Sequence, residues 1–308
     1  MIVVVCPGQG SQTPGFMLPW LDLPEFRSSI ELMQTASGID LVVHGTVSDA
    51  DTIRDTSVAQ PLIVSAGVAA LSALFGLNGA VSNKISGVAG HSVGEVTAAV
   101  ASGVFTAEQG IKFVKERGDA MALAAGLEPT SMAAILGGDQ ETVEARLEEL
   151  GLEPANYNGG GQIVAAGAAG AIGELQAEGP AGSRVIPLQV AGAFHTRYMA
   201  PAVSTLTAYA AGLSVGDPST KLWTNAGGKL IQSGPEFVEL MVNQVKSPVR
   251  WDMCMSAMIS AGVTAVIEVA PAGTLVGLAK RSMPGVETLA LKSPENLDAA
   301  LALIANHA

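Results

Sequence analysis

The sequence predicts an α/β fold in which apolar parallel strands alternate with helices. Three observations carry that expectation. Short apolar runs recur between longer segments of helical period. Only 14% of the chain is charged and 4% aromatic, so burial has to rest on Ala, Val, Leu and Ile, as it does where helices pack on a parallel sheet. The chain's 308 residues suffice for one large unit carrying a smaller one.

Taken in order, residues 2–5, 85–89, 221–224, 264–269 and 288–291 read as the strands of the parallel sheet. Between 131 and 190 the pattern changes to strand (132–136), helix (140–150), strand (153–158), strand (162–166), helix (169–177) and strand (184–189). That βαββαβ order is that of a ferredoxin-like unit, and Asn158-Gly159-Gly160-Gly161 supplies the positive-φ residues a hairpin between its middle strands needs. The expected division is therefore a large unit, 1–126 and 191–308, with 127–190 inserted as a small one and a cleft between them.

Composition removes several classes of function. Sixteen basic against 28 acidic residues give a net charge of −12, which disfavours binding to nucleic-acid phosphates. Two cysteines, Cys6 and Cys254, are too few for a disulfide scaffold or a structural zinc site and fit a reducing cytoplasm. The amino terminus lacks a basic leader and reads as a strand. No uninterrupted apolar run reaches the roughly eighteen residues of a membrane helix, so a soluble protein is expected.

Gly90-His91-Ser92-Val93-Gly94 fits G-x-S-x-G, a strand-to-helix elbow whose small flanking residues expose a serine hydroxyl. The pattern is weak alone but sits between the apolar strand 85–89 and a helical segment, 95–101. Four histidines are available as its base. His307 lies in a tail expected to fray, His44 precedes the elbow, and His91 adjoins Ser92 and should point away from it. His195, at the return from the small unit to the large one, remains, either as the base or as a hydrogen-bonded residue of the joint. No acid completes a triad: Asp139, Glu144 and Glu174 belong to the small unit. A backbone carbonyl can orient the imidazole instead, giving a Ser-His dyad.

On the predicted helix 107–125, capped by Thr106 with Gln109, Arg117 interrupts a stripe formed by Phe113, Val114, Ala120 and Met121. Such a guanidinium either grips a substrate carboxylate, pairs with a protein acid or snorkels to water. Pro7-Gly8-Gln9-Gly10-Ser11-Gln12 follows the first strand and can bring backbone N–H groups close to a reacting oxygen; Thr13 breaks any dinucleotide fingerprint. His91 and Glu95, four apart, mimic a metal pair, but the elbow explains them and no metal is assigned.

In order along the chain, Pro7–Gln12, Gly90-His91-Ser92-Val93-Gly94-Glu95, Glu116-Arg117-Gly118, Gly192-Ala193-Phe194-His195-Thr196, and Asn243-Gln244 before Pro248-Val249-Arg250-Trp251 resemble the malonyl-CoA:acyl carrier protein transacylase family. The resemblance spans nearly the whole chain and implies a hydrolase-like large unit with a ferredoxin-like small one. It implies Ser92 as nucleophile, His195 as base, the Val93 and Gln9 N–H groups as oxyanion hole, and the Gln244 carbonyl as the orienter of His195. Arg117 would bind the malonyl carboxylate, and Phe194 would crowd the α-carbon against methylmalonyl groups. The implied reaction is ping-pong transfer from malonyl-CoA to a holo acyl carrier protein without a cofactor, serving fatty acid biosynthesis, polyketide synthesis or malonate degradation; a cytoplasmic monomer is expected. Lys246, Arg250, Lys280 and Arg281 are candidates for a basic docking rim. The competing readings are a serine thioesterase or esterase, and a noncatalytic carrier-binding subunit.

Overall fold

In the computed structural model, which describes all residues except 77, 82 and 308, β1 (Ile2–Cys6) is buried along its length. Five consecutive apolar residues need cover on both faces. Ile2, Val4 and Cys6 enter the main core, while Val3 and Val5 enter a second core on the opposite side. The chain runs on through α1 (Pro24–Ser37), α2 (Leu41–Thr46) and α3 (Thr56–Phe75) to β2 (Gly87–Gly90), α4 (Gly94–Ala101) and α5 (Ala107–Ala125). Next come β3 (Thr130–Gly137), α6 (Gln140–Glu149), β4 (Glu153–Gly159), β5 (Gln162–Ala168), α7 (Ala169–Ala177) and β6 (Ser183–Leu188). The remainder supplies α8 (Ala200–Ala210), β7 (Lys221–Trp223), β8 (Leu230–Ile231), α9 (Gly234–Gln244), β9 (Val249–Arg250) and α10 (Trp251–Ser260). It ends in β10 (Ala265–Glu268), α11 (Thr274–Ser282), β11 (Glu287–Ala290) and α12 (Leu297–His307).

The result is a mixed α/β fold with two sheets. One has the order β11-β10-β1-β2-β7-β8 and is parallel except for its β7–β8 pair. The other has the order β6-β3-β5-β4-β9; its first four strands pair antiparallel and close a third core against α6 and α7. The fifth strand comes from far outside 127–190. Val249 and Arg250 pair in parallel with Asn156 and Tyr157, the Arg250 guanidinium lies 4.4 Å from the Tyr157 ring centroid, and Asp252 pairs with it at 2.7 Å. Neither β9 nor β8 was anticipated, because two residues carry no periodicity.

One apolar helix escaped the sequence reading, and one expectation needs correction. By length and composition α3 is apolar enough to cross a membrane, with mean hydropathy 1.8; interruption by Ser, Gln and Pro hid it from a search for unbroken apolar runs. Its side chains are mostly buried against α1, α4 and α5, so the core uses that apolar surface. His307 does not fray. It ends α12 with its imidazole 2.8 Å from Thr264 Oγ1 and 3.1 Å from Glu287, groups presented at the starts of β10 and β11.

Cys6 and Gly90 are register partners at the carboxyl ends of adjacent parallel strands, so the loop after β1 and the turn after β2 emerge side by side, where α/β sheets hold their ligands. Their contact leaves no room for a methyl group. A Cβ on Gly94 would lie 2.1 Å from the Cys6 carbonyl oxygen, and one on Gly90 would lie 2.0 Å from the Gly94 carbonyl carbon. Gly94→Ala is therefore expected to push α4 off β1 and to cost about 3 kcal/mol, read as a lowered urea midpoint. An unchanged midpoint would show that α4 has slack against the strand.

Candidate active site

The turn between β2 and α4 puts Ser92 at its tip with φ +52°, a left-handed conformation that costs a non-glycine residue about 1–3 kcal/mol. Asn225 holds the turn from outside: the Ser92 N–H donates to Asn225 Oδ1 at 2.8 Å, and Asn225 Nδ2 donates to the Gly90 carbonyl at 2.7 Å. His91 points elsewhere, as expected. Its Nε2 lies 2.8 Å from Asn158 Oδ1 and its ring packs against Trp251.

His195 is also left-handed, with φ +63°, and its backbone N–H donates to the Val245 carbonyl at 3.0 Å. Its Nε2 is 2.7 Å from Ser92 Oγ and its Nδ1 is 2.8 Å from the main-chain oxygen of Gln244. A carbonyl only accepts, so Nδ1 carries the proton and Nε2 is left to accept from the serine hydroxyl. Burial, aided by the positive charge of Arg117, pushes the imidazole down to about 3, so it is neutral at neutral pH and its Nε2 lone pair is free to accept.

Arg117 of α5 is 1% exposed and meets neither a protein acid nor water in the manner of a snorkelling side chain. Its Nη1 donates to Gln60 Oε1 at 2.7 Å and its Nη2 to Gln244 Oε1 at 2.9 Å. Two of five guanidinium donors are thus matched by neutral amides. Burial lowers its pKa to about 10, which leaves it charged at neutral pH, and Glu95 is the anion that offsets that burial. Glu95 is itself buried and pushed up to about 7 by desolvation. It accepts from the Asn225 N–H and from Gln244 Nε2.

Ser92, His195 and Arg117 share the wall of a cavity of about 460 Å³ with Gln9, Val93 and Phe194. That volume suits a small organic ligand. The backbone N–H groups of Gln9 and Val93 donate to no acceptor among the described residues, which leaves them able to serve an incoming oxygen. Of the basic-rim candidates, Arg250 is engaged by Asp252 and Tyr157, and Arg281 reaches Gln162 at 3.4 Å. Sequence reasoning missed Gln60, Asn225 and the structural part of Glu95. Gln60 was visible only as a polar break in the apolar run of α3; Asn225 sits in a loop with no periodic signal.

The acyl transferase domain model matches residues 3–292. The chain is 45% identical over 298 residues to the malonyl CoA-acyl carrier protein transacylase of Mycobacterium tuberculosis, covering 97% of this chain and 98% of the relative. It is 30% identical to that of Escherichia coli, covering 97% and 98%. The crystal structure of an MCAT from Mycobacterium tuberculosis superposes with a TM-score of 0.92 at 44% identity over 97% of this chain and 99% of the other. A malonyl-transacylase in complex with its type II PKS acyl-carrier protein superposes with a TM-score of 0.91 at 29% identity, covering 98% and 99%.

The depressed imidazole has a direct readout. The His195 ring, assigned by its loss in His195→Gln, is expected to keep neutral-form NMR shifts from pH 8 down to pH 5, because its folded pKa of about 3 lies below the ordinary 6.5. A titration midpoint near 6.5 would mean a solvated ring.

Proposed function

The chain belongs to the acyl transferase domain family, and on that premise we propose that it moves a malonyl group from malonyl-CoA to the phosphopantetheine thiol of a holo acyl carrier protein. The observation that carries the reading is one cavity lined both by the hydrogen-bonded Ser92–His195 pair, with the Gln244 carbonyl behind the imidazole, and by the Arg117 guanidinium with only amide partners. The first is an acyl-transfer device. The second is a receptor for a carboxylate.

Ser92 Oγ attacks the thioester carbonyl as His195 Nε2 takes its proton. The Gln9 and Val93 N–H groups stabilise the oxyanion, and the tetrahedral intermediate collapses as coenzyme A leaves with the proton from His195. A malonyl-Ser92 ester remains. The carrier thiol then attacks that ester, giving its proton to His195, which returns it to Ser92. Each oxyanion donor contributes roughly 10²–10³ in rate and the general base about 10²–10⁴. Gln244 holds the imidazole where a triad would use an acid.

Arg117 offers its unmatched donors to the free malonyl carboxylate, and Phe194 crowds the α-carbon. A charge-assisted hydrogen bond contributes about 1.5–3 kcal/mol, enough to favour malonyl over acetyl by roughly tenfold or more. The reaction needs no cofactor. The protein is taken to work as a monomer in the cytoplasm, with 127–190 as a ferredoxin-like unit set into a hydrolase-like one.

Incubation with malonyl-CoA alone is expected to give one malonyl adduct, mapped to Ser92 by mass spectrometry, absent from Ser92→Ala and chased onto holo carrier protein. Release of free malonate without a lasting adduct would identify a thioesterase instead, and no turnover a binding subunit. Arg117→Ala is expected to lose malonyl transfer by roughly tenfold to several hundredfold while keeping or gaining acetyl transfer. Equal losses for both acyl groups would make Arg117 a structural residue.

A further inference from the structure

The mechanism leaves one buried carboxylate at the site without a task. Glu95 lies on α4 one residue beyond Gly94, is 1% exposed, and has N–H donors rather than a cation against it. The Asn225 backbone donates to its Oε1 at 2.6 Å and Gln244 Nε2 donates to its Oε2. A burial of that kind costs stability and calls for an explanation.

Polarity supplies one. Above about pH 7 Glu95 is ionised and only accepts, so there the Gln244 side chain turns its NH₂ group toward Glu95. Its Oε1 then faces the other way, where it accepts from Arg117 Nη2 at 2.9 Å. The opposite amide orientation would set oxygen against carboxylate and NH₂ against guanidinium, two like-polarity contacts in a buried site. The Ser92 carbonyl at 3.3 Å and Asn225 Oδ1 at 3.1 Å accept from the same NH₂ group, but Glu95 is the charged acceptor and the closest.

We propose that Glu95 is a positioning residue for substrate choice: through the Gln244 amide it fixes the Arg117 guanidinium toward the free carboxylate of the acyl group, touching neither substrate nor His195. The inference rests on the reading that Arg117 receives that carboxylate. The bond from His195 Nδ1 goes to the main chain of Gln244 and does not depend on which way the amide faces. Loss of the Glu95 charge therefore strikes carboxylate recognition and spares the base.

The test compares Ser92 acylation by malonyl-CoA and acetyl-CoA in Glu95→Gln, Gln244→Met and the double variant, with thermal unfolding alongside. In Glu95→Gln, kcat/KM for malonyl-CoA is expected to fall about tenfold or more, chiefly through KM, while that for acetyl-CoA falls less than about twofold. A lower malonyl KM would show Glu95 to be merely an opposing charge, and equal losses for both substrates would make it a scaffold residue; either overturns the proposal. Acting through Gln244, Glu95→Gln should add nothing to the malonyl-to-acetyl ratio on the Gln244→Met background, and multiplication of the two losses overturns it as well. The double variant leaves no charge facing the methionine and decides the matter if Glu95→Gln does not fold: it must lose about tenfold in that ratio, and retention of the parental ratio overturns the proposal. Failure of the parent protein to form malonyl-Ser92 would sink the functional reading itself, whereas a normal parent with an unchanged Glu95→Gln ratio sinks only the role of Glu95.

Discussion

Gln244 is bonded on three sides at once, and the chemistry of the site depends on that. Its main-chain oxygen receives His195 Nδ1, its Oε1 receives Arg117, and its NH₂ group reaches Glu95. A glutamine is suited to the position because it combines an acceptor and a donor in one rigid plane. One residue at the end of α9 thereby sets the tautomer of the base and the bearing of the cation. The elbow is braced by the same cluster, since Asn225 links Glu95 to the Ser92 N–H and the Gly90 carbonyl.

The use of a carbonyl where a triad has an acid follows from the neighbouring charge. A carboxylate against His195 Nδ1 would raise the imidazole pKa and would lie close to a buried guanidinium, which it would neutralise. Neutral acceptors avoid both outcomes. The imidazole remains unprotonated through burial and the influence of Arg117, and Arg117 keeps its charge. Glu95 is held one amide away, near enough to offset the burial of Arg117 and far enough to leave its outer donors unmatched.

Much of this was legible in the sequence, for reasons that differ from residue to residue. Ser92 stood out because its glycines fall between an apolar strand and a helix, and the structure shows those glycines where a methyl group would collide with Cys6 or with Gly94. His195 was reached by elimination among four histidines. Arg117 was visible as a charge on an apolar stripe, although its partners turned out to be Gln60 and Gln244 and not an acid. The strands of 130–188 were found by their alternation and length, whereas β8 and β9 have neither. Asn225 and Gln60 escaped because a polar side chain bonded through space leaves no periodic trace.

The two-residue strand β9 also has a mechanical meaning. It ties the second sheet, through Asn156 and Tyr157, to a stretch of chain that starts only five residues earlier at Gln244. The second sheet is therefore joined, by a connection of five residues, to the carbonyl that accepts from His195 Nδ1.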